Sequence, residues 1–251
     1  ASFDVRTAAA RRLVWTPPAP LHDPYRRAVI DTAEAAARAY PPAVGRHAVV
    51  TWALIAANTL MYLRELHGGD PTDSDLLYNQ GALWPHAVFA QGEWWRLLAA
   101  LFLHAGIVHI AFNMIALLVF GPPVERRLGH AAFAVLYLGA GLVSMLSVAL
   151  LMKYGIETPD LLVGASGAIL GLVGGALGLS LRRSGADAAT ARGERRALLS
   201  LLVLQSALDL SVPHISLSGH LSGAAAGFVI GLALPLRRTT PRLRRLLGAR
   251  G

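Results

Sequence analysis

The chain has 251 residues, of which 54% are hydrophobic, 15% are charged and none is cysteine. A soluble domain carries about 25% charged residues, so the composition favours a membrane protein. The absence of cysteine excludes disulfides, a thiol nucleophile and thiolate metal sites. The net charge of +8 lies in the connections between apolar blocks, which favours a role in membrane topology over nucleic-acid binding.

Three segments differ in composition. Residues 1–46 form an Arg- and Pro-rich tail without the apolar core of a secretory signal peptide, and a short helix is expected over Pro24–Tyr40. Residues 47–236 contain the apolar blocks and are predicted to be the membrane domain. Residues 237–251 form a basic second tail.

Six apolar blocks in the membrane domain are predicted to be transmembrane helices, because about 20 helical residues cross the hydrocarbon core. In chain order, the predicted spans are Ala48–Leu63, His104–Gly121, Ala131–Met152, Leu161–Leu181, Ala197–Leu210 and Ile215–Leu236. The fifth block is short: at about 1.5 Å per residue it would reach only about 21 Å, less than the thickness of the core.

The basic residues predict the orientation of the spans. Twenty of the 23 Lys and Arg residues lie in one set of connections, namely 1–46, 121–130, 182–196 and 237–251. The positive-inside rule therefore predicts that both termini are cytoplasmic. The connection 64–103 would then lie outside, where its Trp84, Trp94 and Trp95 suit interfacial helices or an ordinary aromatic belt.

Four polar residues near outer ends of the predicted spans are candidates for a site, because polar groups are costly inside a membrane. Ser166 and His220 lie near the outer ends of the fourth and sixth spans, while His109 and Asn113 lie in the second. These three spans run in the same direction, so the four residues share one side. Each alone is more often structural. Together they suggest a serine activated by a histidine base, with oxyanion donors from His109, Asn113 and the Ser166 amide.

Glycines at four-residue spacing give a reason for the fourth and sixth helices to touch, since small residues on one face let two backbones approach. The fourth span carries Gly167, Gly171 and Gly175, and the sixth carries Gly219, Gly223, Gly227 and Gly231. The stripes predict that Ser166 faces His220. Because Asp160 and Asp209 are assigned outside the membrane or to a helix end, a Ser–His dyad without an acid is expected.

Five short motifs occur in a specific order: Trp94-Trp95-Arg96, His104 to Asn113, Glu125 to Gly129, Gly164 to Gly167, and Gly219 to Gly223. Over about residues 48–236, the chain resembles the rhomboid family of intramembrane serine proteases. The resemblance implies an all-α polytopic fold with six transmembrane helices in a rhomboid-like bundle, needing no cofactor or metal. It also implies interfacial helices in the first outer loop, and a bacterial cytoplasmic membrane as the location.

The same resemblance implies roles for the candidate residues. Ser166 would attack the scissile carbonyl and His220 would be the general base and then the acid, while His109 and Asn113 would stabilise the oxyanion. Substrates would be single-span transmembrane proteins, cut near the outer end of their helix. His104 resembles a structural histidine of the family. Leu170 is a departure, since family members commonly carry an aromatic residue there that stacks on the catalytic histidine.

Two other functions are compatible with a polytopic chain. An inactive rhomboid-like protein that binds membrane clients would be expected to lack the serine or the histidine, and both Ser166 and His220 are present. A transporter or channel would favour a carboxylate inside a span. Asp209 is assigned to the end of the fifth block, and the six blocks otherwise contain no acidic residue.

Overall fold

The computed structural model describes residues 48–157, 160–182, 188–211 and 216–234. Within these ranges the regular elements are helices, and the single β-bridge joins Leu83 to Leu162. The predicted all-α class is therefore confirmed for the part of the chain described. The predicted helix over Pro24–Tyr40 and the tail 237–251 lie outside the described residues.

Nine α-helices and one short 3-10 turn follow one another in the described ranges. They are α1 Val49–Gly68, α2 Ser74–Gln80, α3 Pro85–Ala90, α4 Arg96–Ala99 with the 3-10 turn Ala100–Phe102, α5 Ile107–Leu128, α6 His130–Lys153, α7 Ser166–Leu181, α8 Ala188–Ser211 and α9 Leu217–Ala233. Helices α5 and α6 are long and apolar enough to cross a membrane, while α7 and α9 are apolar but shorter. The count of six spans stays a prediction.

The fifth predicted span differs most from the structure. Instead of beginning at Ala197, helix α8 begins at Ala188 and contains 24 residues, which corresponds to a length of about 36 Å. The added segment is charged but rich in good helix formers. Its Glu194 is buried and forms a salt bridge with Arg127 in the last turn of α5. The short fifth helix was thus a wrong prediction, because hydropathy marks where a helix is apolar rather than where it ends.

Helices α7 and α9 pack backbone against backbone. A methyl group added at Gly223 would lie 2.2 Å from the carbonyl oxygen of Gly167, and one added at Gly227 would lie 1.9 Å from that of Gly171. A side chain at either position would overlap the neighbouring backbone. The contact predicted from the glycine stripes is therefore confirmed, and it sets the spacing of the two helices that carry Ser166 and His220.

The start of α1 is held by a residue from the end of α5. The Glu125 carboxylate accepts hydrogen bonds from the backbone N–H of Val50 at 2.9 Å and of Thr51 at 2.8 Å, and from the Thr51 hydroxyl at 2.6 Å. First-turn amides of a helix lack partners within the helix, so Glu125 caps α1 from a distant part of the chain. Gly129, with φ +83°, then turns the chain from α5 into α6.

The connection between α1 and α5 is organised around Arg96. One guanidinium nitrogen donates to the carbonyl oxygens of Tyr78 at 2.7 Å and Ala82 at 3.0 Å, and the group lies 4.3 Å from the centre of the Tyr78 ring. Arg96 is buried, whereas Trp94 and Trp95 are each 53% exposed. The exposed tryptophans are consistent with an interfacial position of α2 to α4, which stays a prediction.

Candidate active site

Ser166 is the first residue of α7. The helix was predicted to begin at Leu161, but Leu162 forms the β-bridge to Leu83, and Gly164 has φ +123°. This positive φ disfavours any residue with a side chain. The five residues before Ser166 therefore form a non-helical approach, which leaves Ser166 in the first turn of α7, where backbone N–H groups point outward without helical partners.

His220 lies in the first turn of α9, opposite Ser166. The hydroxyl of Ser216 caps α9 by accepting the Gly219 N–H at 3.1 Å, which sets where the helix begins. The His220 side chain is mostly buried, and its Nε2 lies 2.7 Å from the Ser166 Oγ. The structure thus brings the predicted serine and histidine within hydrogen-bond distance, as the paired glycine stripes suggested.

A carboxylate also contacts the histidine, contrary to the prediction that no acid would be near it. The Nδ1 of His220 lies 2.7 Å from Asp209 Oδ2, and Gln205 Nε2 donates to the other oxygen, Oδ1, at 2.7 Å. Asp209 is buried in the last turn of α8, so it is at a helix end, one of its two expected positions, and from there it still reaches His220. The spacing of Gln205 and Asp209, one helical turn apart in an apolar block, was the signal available in the sequence.

Asp209 is not the only acidic residue that is buried among the helices of the structure. Both Asp209 and Glu65 are buried in helices. Glu65 accepts the backbone N–H of His104 at 3.1 Å, which attaches the C-terminal end of α1 to the segment that precedes α5. Each carboxylate therefore has a local protein partner.

His109 lies beside the segment that leads to Ser166. A methyl group built on Gly164 would be 2.7 Å from His109 Nε2, so the imidazole occupies the space that a side chain would need. The His104 ring packs edge-on against His109 at 5.1 Å between ring centres. Asn113 is buried and its amide donates to the His109 carbonyl at 3.1 Å. The structure thus places His109 beside the serine segment and ties Asn113 to the same turn of α5.

Leu170 is the position at which this chain departs from the rhomboid pattern. It lies one turn beyond Ser166, is buried, and belongs to the main hydrophobic core with residues of α5 and α6. No aromatic ring can therefore stack on His220 from this position. The His220 ring instead forms hydrogen bonds with Ser166 and Asp209.

The arrangement has the chemistry of a nucleophilic hydroxyl beside a base. A serine becomes a useful nucleophile when a neutral histidine takes its proton. In such sites a third group, hydrogen-bonded to the histidine, orients the imidazole ring. Among the residues that the structure describes, no cluster of three or more His, Asp or Glu side chains is arranged to hold a metal ion.

Comparison with known proteins places the chain in a family. The model of the Rhomboid domain matches residues 91–237, more than half of the chain. Rhomboid protease GluP of Bacillus subtilis (strain 168) is 35% identical over 200 residues, which are 79% of this chain and 37% of GluP.

Two further relatives agree with this assignment. YdcA of Bacillus subtilis (strain 168) is 32% identical over 161 residues, 64% of this chain and 77% of YdcA. RHOMBOID-like protein 1 of Arabidopsis thaliana is 33% identical over 164 residues, 64% of this chain and 40% of that protein. The chain thus spans well under half of GluP and of the Arabidopsis protein. With the domain match, these identities show that the chain belongs to the rhomboid family of integral membrane proteins, which includes intramembrane proteases.

Proposed function

We propose that this chain is an intramembrane serine endopeptidase that cleaves single-span transmembrane proteins. The observation that carries the proposal is the 2.7 Å separation of Ser166 Oγ and His220 Nε2. The two residues lie 54 positions apart and on different helices. Helix packing alone does not require a serine hydroxyl to meet an imidazole, whereas a serine that acts as a nucleophile needs a base within hydrogen-bond distance.

The geometry supports a two-step acyl transfer. Ser166 Oγ attacks the scissile carbonyl while its proton passes to His220 Nε2, and the imidazolium then protonates the leaving amine. Water hydrolyses the resulting acyl-enzyme ester, with His220 again taking and returning a proton. Ser166 and His220 are thereby returned to their starting protonation states at the end of the cycle.

Three groups are proposed as donors to the oxyanion. The backbone N–H of Ser166 is in the first turn of α7, and His109 Nε2 packs against Gly164. The amide of Asn113 uses one N–H for the His109 carbonyl and carries a second. Donors of this kind lower the barrier most when they are held in place before the reaction. The α7 start and the Gly164 contact provide that rigidity.

The position of the site within the bundle supports a substrate class. Ser166, His109 and His220 all lie near the first turns of apolar helices that run in the same direction in the predicted topology. We infer a six-span protein in a bacterial cytoplasmic membrane, with cytoplasmic termini and a site that opens to the outer side. A single-span substrate would then be cut near the outer end of its helix, next to a small residue.

A fluorophosphonate probe tests the proposal, because it labels only an activated serine. We expect labelling of the detergent-solubilised protein, and cleavage of a panel of single-span substrates. Both are expected to be lost in Ser166→Ala and in His220→Ala, with the unfolding midpoint retained. A Ser166→Ala protein that still cuts would refute the mechanism. The alternative, an inactive client-binding protein, would be supported by unlabelled, folded protein that retains transmembrane proteins without cutting them.

A further inference from the structure

We propose that Asp209 is a positioning residue that holds His220 in the orientation and tautomer needed to accept the proton of Ser166, and that Gln205 aims the Asp209 carboxylate. The inference rests on the proposed function and extends the expected pair of residues to a chain of four. Consecutive links are Gln205 Nε2 to Asp209 Oδ1, Asp209 Oδ2 to His220 Nδ1, and His220 Nε2 to Ser166 Oγ, each 2.7 Å long.

The chemistry of the carboxylate selects one tautomer of the ring. An ionised carboxylate can only accept hydrogen bonds, so the proton of neutral His220 is held on Nδ1. Nε2 then presents its lone pair to the Ser166 hydroxyl. When His220 gains the serine proton, the imidazolium lies against a negative charge, which favours the transfer. The tautomer that cannot act as a base is thereby disfavoured.

The burial of the Asp209 carboxylate is energetically unfavourable, which suggests that the residue has a specific role. It is buried in the last turn of α8, where the partial negative charge of the helix end opposes a carboxylate. A buried carboxylate also needs hydrogen-bond partners to offset its lost hydration. Gln205 and His220 supply them, one to each oxygen. An apolar residue would be less costly for packing alone.

Few other groups in the described part of the chain could hold the His220 imidazole in this orientation. Ser166 and His220 are carried by α7 and α9, which the glycine contacts hold together, but Asp209 comes from a third helix, α8. The position one turn after Ser166 carries Leu170, which has no aromatic face to stack on the ring. The bond to Asp209 therefore fixes the rotation of the His220 side chain about its Cβ–Cγ bond.

Steady-state kinetics on a cleavable single-span substrate test the assignment. In Asp209→Asn, the amide can donate to Nδ1 and select the wrong tautomer, so kcat should fall by about 10²–10⁴-fold. The KM should change by less than about twofold, because the substrate does not contact this residue in the proposal. Asp209→Glu keeps a hydrogen-bond acceptor, so its kcat should be at least about tenfold higher than that of Asp209→Asn.

Two further variants calibrate the measurement. Gln205→Met removes the donor to Asp209 and should lower kcat by about fivefold, the effect of one hydrogen bond. Asp75→Asn neutralises an exposed carboxylate of α2 and should leave kcat and KM unchanged. The unfolding midpoint of each variant is measured in the same detergent.

The outcomes separate this inference from the proposed function. If Asp209→Asn keeps the kcat of the parent while Ser166→Ala is inactive, the inference is wrong and the protease stands. If Ser166→Ala keeps its activity, the protease itself is wrong. If Asp209 had a purely structural role, both Asp209→Asn and Asp209→Glu would lower the unfolding midpoint and raise KM, and Asp209→Glu would restore no activity. That result would also overturn the inference.

Discussion

Replacing Gly227 by alanine adds one methyl group at a very close contact between α7 and α9. The new Cβ would lie 1.9 Å from the carbonyl oxygen of Gly171, which belongs to the backbone and cannot rotate away. A methyl carbon and a carbonyl oxygen come no closer than about 3 Å, so the two helices must separate by about 1 Å. The expected loss of stability is about 1–3 kcal/mol, the usual cost of overpacking.

The same displacement should reduce activity, because Ser166 and His220 lie on the two helices that separate. A misplacement of about 1 Å at reacting groups can lower a rate by about 10²-fold, so kcat should fall by about one to two orders of magnitude. The stability is measured by denaturant titration in detergent micelles, and kcat by cleavage of a single-span substrate.

Gly193 provides a matched control for this prediction. It lies inside α8, and a Cβ added there meets nothing within 4 Å. Gly193→Ala should therefore be neutral or stabilise the protein by about 0.5–1 kcal/mol, because alanine favours the helix. Equal stability and equal kcat of the Gly227→Ala and Gly193→Ala proteins would refute the close backbone contact and the argument built on it.

Two further substitutions test contacts that hold the frame of the site. Glu125→Ala should lower the free energy of unfolding by about 1–3 kcal/mol, because it removes the acceptor for the first amides of α1, and Glu125→Gln should lower it less. Hydrogen exchange at the amides of Val50 and Thr51 should accelerate in Glu125→Ala. Unchanged exchange would contradict the capping role. Arg96→Lys should lower the free energy of unfolding by about 1–2 kcal/mol and speed proteolysis of the 69–103 connection. The reason is that a single ammonium cannot replace two guanidinium nitrogens, of which Nε donates to Glu93 while Nη1 donates to two carbonyls. Arg64→Lys, at an exposed position, is the control, and equal proteolysis of both variants would refute the bridging role.

Much of the helical framework was predictable from local patterns. The third predicted span, Ala131–Met152, differs from α6 by one residue at each end. The second was predicted to end at Gly121, yet α5 continues through Pro122 and Pro123 to Leu128. Proline removes a backbone donor, but a membrane-protein helix tolerates that loss when neighbouring groups pack against it. Both prolines are buried, so the helix continues where the sequence pattern suggested a stop.

The sequence by itself determined which polar residues lie at the starts of helices and which faces are small enough to touch. These properties depend on order and spacing along one segment, and they were sufficient to pair Ser166 with His220. Only the tertiary structure decided the partners of the carboxylates. Glu125 caps α1 and Asp209 contacts His220 because of which helix lies next to each. The free energy of a buried carboxylate depends on the donors around it, and those donors come from other parts of the chain.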